Sequence, residues 1–196
     1  MNKYFTNILN SKAIKSVKNL LVLNLCFIAA INVTNAQLYD AKRIYDKCAD
    51  AVVIISTPFG LGTGFLINES GYIVTNHHVV QDGQGYTLPA NSITVNTKDG
   101  KAYQVSLVDD TPDFPGLDIA IIKVDDRFFN FLPLYANELK VGEDVVAIGH
   151  PNGDYWNQSK GIISKVNLPD VYLLQHDVPT DEGNSGGPLI NSKGQV

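Results

Sequence analysis

Three short stretches hold residue types that could carry out acyl transfer: "TNHHVV" with His77 and His78, "GLDIAII" with Asp118, and "EGNSGGP" with Ser185. A serine hydroxyl attacks a carbonyl at neutral pH only with help. A base must take its proton, a carboxylate must orient that base, and amide N–H groups must receive the charge that develops on oxygen. Each stretch also has a plainer reading. Asn-Ser-Gly-Gly is turn-forming, His78 could close a strand, and Asp118 could cap an apolar one. The chemical reading rests on the three together. His78 follows one apolar run, Asp118 opens another, and Ser185 lies in a loop where Gly183 and Gly186 permit unusual backbone torsions.

Strands must deliver these side chains to one place. Apolar or β-branched runs recur at "AVVIIST", "TGFLIN", "GYIVTN", "SITVN", "AYQVSLV" and "LDIAIIKV", separated by turns such as "NESG" and "TKDG". A second series follows at "DVVAIG", "GIISKV", "VYLLQH" and "GPLIN". Short strands at this spacing predict an all-β barrel or sandwich architecture. The stretch "QLYDAKRIYDKC" (37–48) instead has apolar residues at Leu38, Ala41, Ile44 and Tyr45, a helical spacing. The expected division is a signal peptide at 1–36, an N-terminal helical segment at 37–50, a first barrel at 51–124, a connection at 125–140 and a second barrel at 141–196. The crevice between the halves is the expected site.

With 44% hydrophobic and 18% charged residues, 196 residues suffice for one or two small units with a real core. The four lysines before residue 36 stand in a stretch without acidic residues, which leaves 11 basic against 20 acidic side chains in the rest. Nucleic acid is excluded as a partner, because no basic face is clustered to meet phosphates. The lysines precede the apolar run "LLVLNLCFIAAINV" and the small residues of "TNA", a pattern of an export signal. That run is 14 residues long, whereas a membrane span needs roughly 20. No stable membrane anchor is therefore expected after cleavage, and the location is secreted or periplasmic; an uncleaved anchor is the alternative. Leu25 before Cys26 argues against lipid attachment. Cys48 is then the one remaining cysteine, so no intrachain disulfide forms. No metal site and no cofactor are expected, for want of a His-Glu-x-x-His or a cysteine cluster.

The order histidine, aspartate, serine is that of the two-barrel serine peptidases, and longer stretches agree. "GTGFLINESGYIVTNHHVV", "LDIAIIKV", "VVAIGHPNG", "KGIISKV" and "LQHDVPTDEGNSGGPLIN" follow in order over nearly all of 50–193. The sequence resembles the trypsin-like serine peptidases, and within them the HtrA/Do-like branch. The resemblance implies two antiparallel β-barrels with a His78–Asp118–Ser185 triad between them; Thr75 of the Thr-x-x-His pattern selects His78 over His77. It implies an oxyanion hole from the N–H groups of Gly183 and Ser185, helped by Asn184. It places Pro179 at the base of the primary substrate pocket, which argues against a preference for lysine or arginine. It also implies further strands and a PDZ domain beyond Val196, so the second barrel is expected to be incomplete and the chain a fragment. The implied function is an exported endopeptidase acting on proteins or peptides, with homo-oligomers left open. The alternative is an inactive trypsin-fold module that binds polypeptides.

Overall fold

The computed structural model describes residues 41–109, 117–166 and 173–196. The expected export signal, Cys26 and the first residues of the expected helix (37–40) lie outside the described residues. Residues 41–48 form a helix, α1, and continue into a 3-10 turn at Ala49–Ala51. One face of α1 supplies Ile44 and Cys48 to the interior, while Lys42 and Asp46 pair across one helical turn at 2.5 Å on the other.

Six strands then close into a barrel: β1 (Val52–Thr57), β2 (Gly60–Leu66), β3 (Tyr72–Thr75), β4 (Thr94–Asn96), β5 (Ala102–Asp109) and β6 (Ala120–Val124). Their order around the barrel is β1-β2-β3-β6-β5-β4, every pair antiparallel. Alternation fixes which side chains go inward. In β6, Ala120, Ile122 and Val124 are buried, and they meet Ile55, Leu66 and Ile73 in the barrel core. The β2–β3 turn shows how the sequence closes a hairpin. The Asn68 side chain accepts hydrogen bonds from the Ser70 and Tyr72 N–H groups, and Gly71 takes a φ of 80°. A Cβ at Gly71 would come 2.2 Å from the Val124 carbonyl oxygen, so only glycine fits.

The second half is a sheet of four strands among the described residues: β7 (Asp144–Gly149), β8 (Asn157–Lys165), β9 (Gln175–His176) and β10 (Leu189–Asn191), in the order β10-β7-β8-β9. It does not close into a barrel, as the sequence led us to expect. One apolar cluster joins the two halves. It contains Ile44 and Cys48 of α1, Val52 and Phe65 of the barrel, and Val146, Ile148 and Ile190 of the second sheet. Leu132, from the stretch linking the halves, is buried in the same cluster, and its N–H donates to the Leu66 carbonyl at 2.8 Å. The Trp156 indole N–H donates to the Val52 carbonyl at 2.9 Å across the same seam.

Candidate active site

Strand pairing explains how His78 and Asp118 meet across 40 residues of chain. Thr75, the last residue of β3, sits opposite Ala120, the first residue of β6. A residue just after Thr75 and one just before Ala120 must therefore emerge side by side. Asp118 Oδ2 lies 2.6 Å from His78 Nδ1, and Asp118 Oδ1 accepts the His78 backbone N–H at 2.9 Å. With Nδ1 as donor to the carboxylate, Nε2 is left as the basic nitrogen of the neutral ring. Both side chains are about half exposed (53% and 51%), so the pair is open to an incoming molecule.

His77 turns elsewhere, towards Gln81 and Thr87. His77–Val80 form a 3-10 turn and not a continuation of β3, and its three residues per turn point neighbouring side chains well apart.

Ser185 lies between β9 and β10 in a loop seated on the first barrel. The fully buried Thr63 of β2 makes two of the contacts: its N–H donates to the Ser185 carbonyl at 2.8 Å and its hydroxyl to the Gly183 carbonyl at 2.6 Å. Thr75 braces this seat by donating to the Thr63 carbonyl at 2.7 Å. Gly186 donates its N–H to Asn76 Oδ1 at 2.5 Å. Gly186 has a φ of 81°, and a Cβ there would come within 2.3 Å of both Thr75 Oγ1 and the Thr63 carbonyl oxygen.

The outward N–H groups of this loop follow from its carbonyls. All described peptides are trans, so the C=O and N–H of one peptide point opposite ways. The Glu182 carbonyl accepts from the Asn152 N–H at 2.8 Å, and the Asn184 carbonyl from the Gly187 N–H at 2.9 Å. The N–H groups of Gly183 and Ser185 therefore face away from those donors, and neither binds a protein acceptor among the described residues. Asn152 serves this role from a left-handed backbone, φ 50° and ψ 27°. The Ser185 hydroxyl forms no hydrogen bond with His78 among the described residues.

A cleft of about 480 Å³ runs beside the loop, lined by Asn76, Ile148, His176, Thr180, Ser185 and Leu189 among others. Pro179 is exposed and does not line this cleft; its neighbour Thr180 does. His150 is buried behind the loop, where its Nδ1 accepts the Trp156 N–H at 3.0 Å. Burial pushes its pKa down to about 4, against a smaller upward pull from the Val53 backbone. Sequence reasoning did not single out Thr63, Asn76 or Asn152. Asn76 was the most accessible of the three, as it stands two residues before His78.

A six-stranded barrel joined to a second antiparallel sheet, with a histidine–aspartate pair at the strand exits and a serine loop seated between them, defines the class of two-barrel serine peptidases. Residues 62–196 match the trypsin-like peptidase domain, and the chain belongs to that family. Among curated proteins it is 45% identical over 143 residues to a probable periplasmic serine endoprotease, DegP-like, of Halomonas elongata. It is 43% identical over 142 residues to the protein of the same description from Pseudomonas putida. Each match covers 69% of this chain and 28% of the relative, so the aligned region is under a third of those proteins. Among solved structures, Deg5 superposes with a TM-score of 0.68 at 28% identity, covering 82% of this chain and 83% of Deg5. The serine endoprotease from Yersinia pestis gives 0.66 at 29% identity, covering 80% and 55%.

Proposed function

We propose that this chain carries the catalytic domain of an exported serine endopeptidase, with Ser185 as nucleophile, His78 as base and Asp118 as the group that orients it. The observation that carries this reading is the doubly bonded His78–Asp118 pair beside a loop whose Gly183 and Ser185 N–H groups are left unbound. In the first step Ser185 Oγ attacks the scissile carbonyl and its proton passes to His78 Nε2. The oxygen of the tetrahedral intermediate takes the Gly183 and Ser185 N–H groups. His78 then protonates the leaving amine, and water repeats the sequence to release the acyl group. The absence of a Ser185–His78 hydrogen bond among the described residues is compatible with this, since catalytic hydrogen bonds often tighten only when substrate is bound. A protein or peptide substrate and a periplasmic setting are part of the proposal, by analogy with the named relatives. So is the division into barrels at 51–124 and 141–196.

The same missing serine–histidine bond, together with the unclosed second sheet, favours a second reading: a module that binds polypeptides without cleaving them. Fluorophosphonate labelling separates the two. Catalysis predicts covalent modification of the wild type at Ser185 and none of Ser185→Ala. A folded wild type that takes no label would favour the binding module.

A further inference from the structure

Asn76 occupies the cap position before the 3-10 turn at His77–Val80, where an asparagine side chain ordinarily accepts a hydrogen bond from that turn. It does not do so here. Its carboxamide spans two other segments instead. Nδ2 donates to the backbone carbonyl of Asp118 at 2.6 Å, 42 residues away, and Oδ1 accepts the N–H of Gly186 at 2.5 Å, 110 residues away. Both contacts are short, and together they use the separate donor and acceptor atoms of one carboxamide. The residues reached are Asp118 itself and the immediate neighbour of Ser185, while Asn76 is two residues from His78. One half-buried side chain, two residues before His78, thus bonds to the backbone of both segments that supply the carboxylate and the serine.

We propose that Asn76 is a positioning residue that couples Asp118 to the nucleophile loop, fixing the separation of Ser185 from the His78–Asp118 pair. The inference rests on the catalytic reading above. Asp118 is tied to His78 by its carboxylate, but among the described residues its backbone carbonyl is tied only to Asn76. The loop is tied to the barrel by Thr63 on its Ser185 and Gly183 carbonyls. The Asn76 contact is the one that refers the loop to the aspartate. Without it, the pair and the serine can each keep their own bonds and still drift relative to each other. A misplacement of about 1 Å is enough to slow chemistry on the order of a hundredfold.

The test is saturation kinetics of fluorophosphonate labelling on the full chain, for wild type, Asn76→Ala and Asn76→Asp, with thermal melts of each. Asn76→Asp has the same size and keeps an oxygen for Gly186, but it cannot donate to the Asp118 carbonyl. We expect both variants to lose roughly tenfold or more in maximal labelling rate, since each lost hydrogen bond is a factor of several. The half-saturating probe concentration should stay within about twofold, because Asn76 contributes little to ground-state binding in this scheme. A purely structural role would lower the melting temperature and leave the rate of the folded fraction unchanged; that result overturns the proposal. Wild-type rates in Asn76→Asp overturn it as well, even if Asn76→Ala fails to fold. Absence of wild-type labelling would remove the catalytic reading itself, a distinct outcome.

Discussion

Thr63 shows how much of this site depends on single polar atoms far from the chemistry. It is fully buried in β2, and both of its donors serve the Ser185 loop. Thr63→Val keeps the shape and the backbone N–H but leaves the Gly183 carbonyl without its donor. An unsatisfied buried carbonyl costs about 1–3 kcal/mol, and the loop has a way to avoid that cost by rotating the peptide. We therefore expect Thr63→Val to slow fluorophosphonate labelling and to lower the urea midpoint. An unchanged labelling rate would show that the hydroxyl does not set the loop. At this scale the sequence was readable for residues whose type announces their chemistry: His78, Asp118 and Ser185 were proposed from their joint order and the family resemblance, not from any one local pattern. Thr63 and Asn76 were not, because a threonine in a strand or an asparagine before a turn has an ordinary local use. Their roles arise from partners 120 and 110 residues away.

Strands were the most legible elements: β6 alternates between buried and half-buried residues, and β7, buried on both faces, reads as an unbroken apolar run. Turns that break the pattern were less so. The chain leaves β3 at Asn76 and tightens into a 3-10 turn, although "TNHHVV" reads equally well as an extended run. The segment linking β7 to β8 was also opaque: Asn152 and Trp156 both hold left-handed backbones without being glycine. The buried His150 anchors that segment by accepting the Trp156 N–H. Protonating its Nδ1 would break this bond, and its pKa sits at about 4 against an ordinary value near 6.5. Above about pH 6.5 the ring is neutral in both folded and unfolded chains, and its contribution to stability is complete. Between about 6.5 and 4 only the unfolded chain takes up the proton, so stability falls as pH falls, by up to roughly 3 kcal/mol at about 1.4 kcal/mol per pH unit. His150→Asn offers an oxygen to the same N–H and removes the titration. Urea melts from about pH 7 to 4 should show the wild type losing stability relative to this variant across that window. A constant difference between them would sink the argument.

Across the whole described region, the site exists only because two half-structures are held in fixed relation. The polar contacts of Thr63 and Asn76 sit on one side of the seam, and the apolar cluster of α1, the barrel and the second sheet sits behind it. The four strands of the second sheet leave an edge and do not close on themselves, so that sheet depends on the shared cluster more than the barrel does. Leu132 tests this dependence best, because it belongs to neither sheet and yet is 2% exposed in the cluster. Leu132→Ala should cost about 2–5 kcal/mol, the usual range for a buried leucine. Trp156, the single tryptophan, bonds to Val52 across the same seam, so its fluorescence reports the junction while far-UV circular dichroism reports all strands. If the cluster makes one cooperative unit, both signals should shift to lower urea together and keep a common midpoint. If the fluorescence change moved far ahead of the dichroism change, the barrel would be stable without the second sheet. The serine loop would then be lost before the His78–Asp118 pair, and labelling should disappear at the fluorescence midpoint, before the dichroism transition.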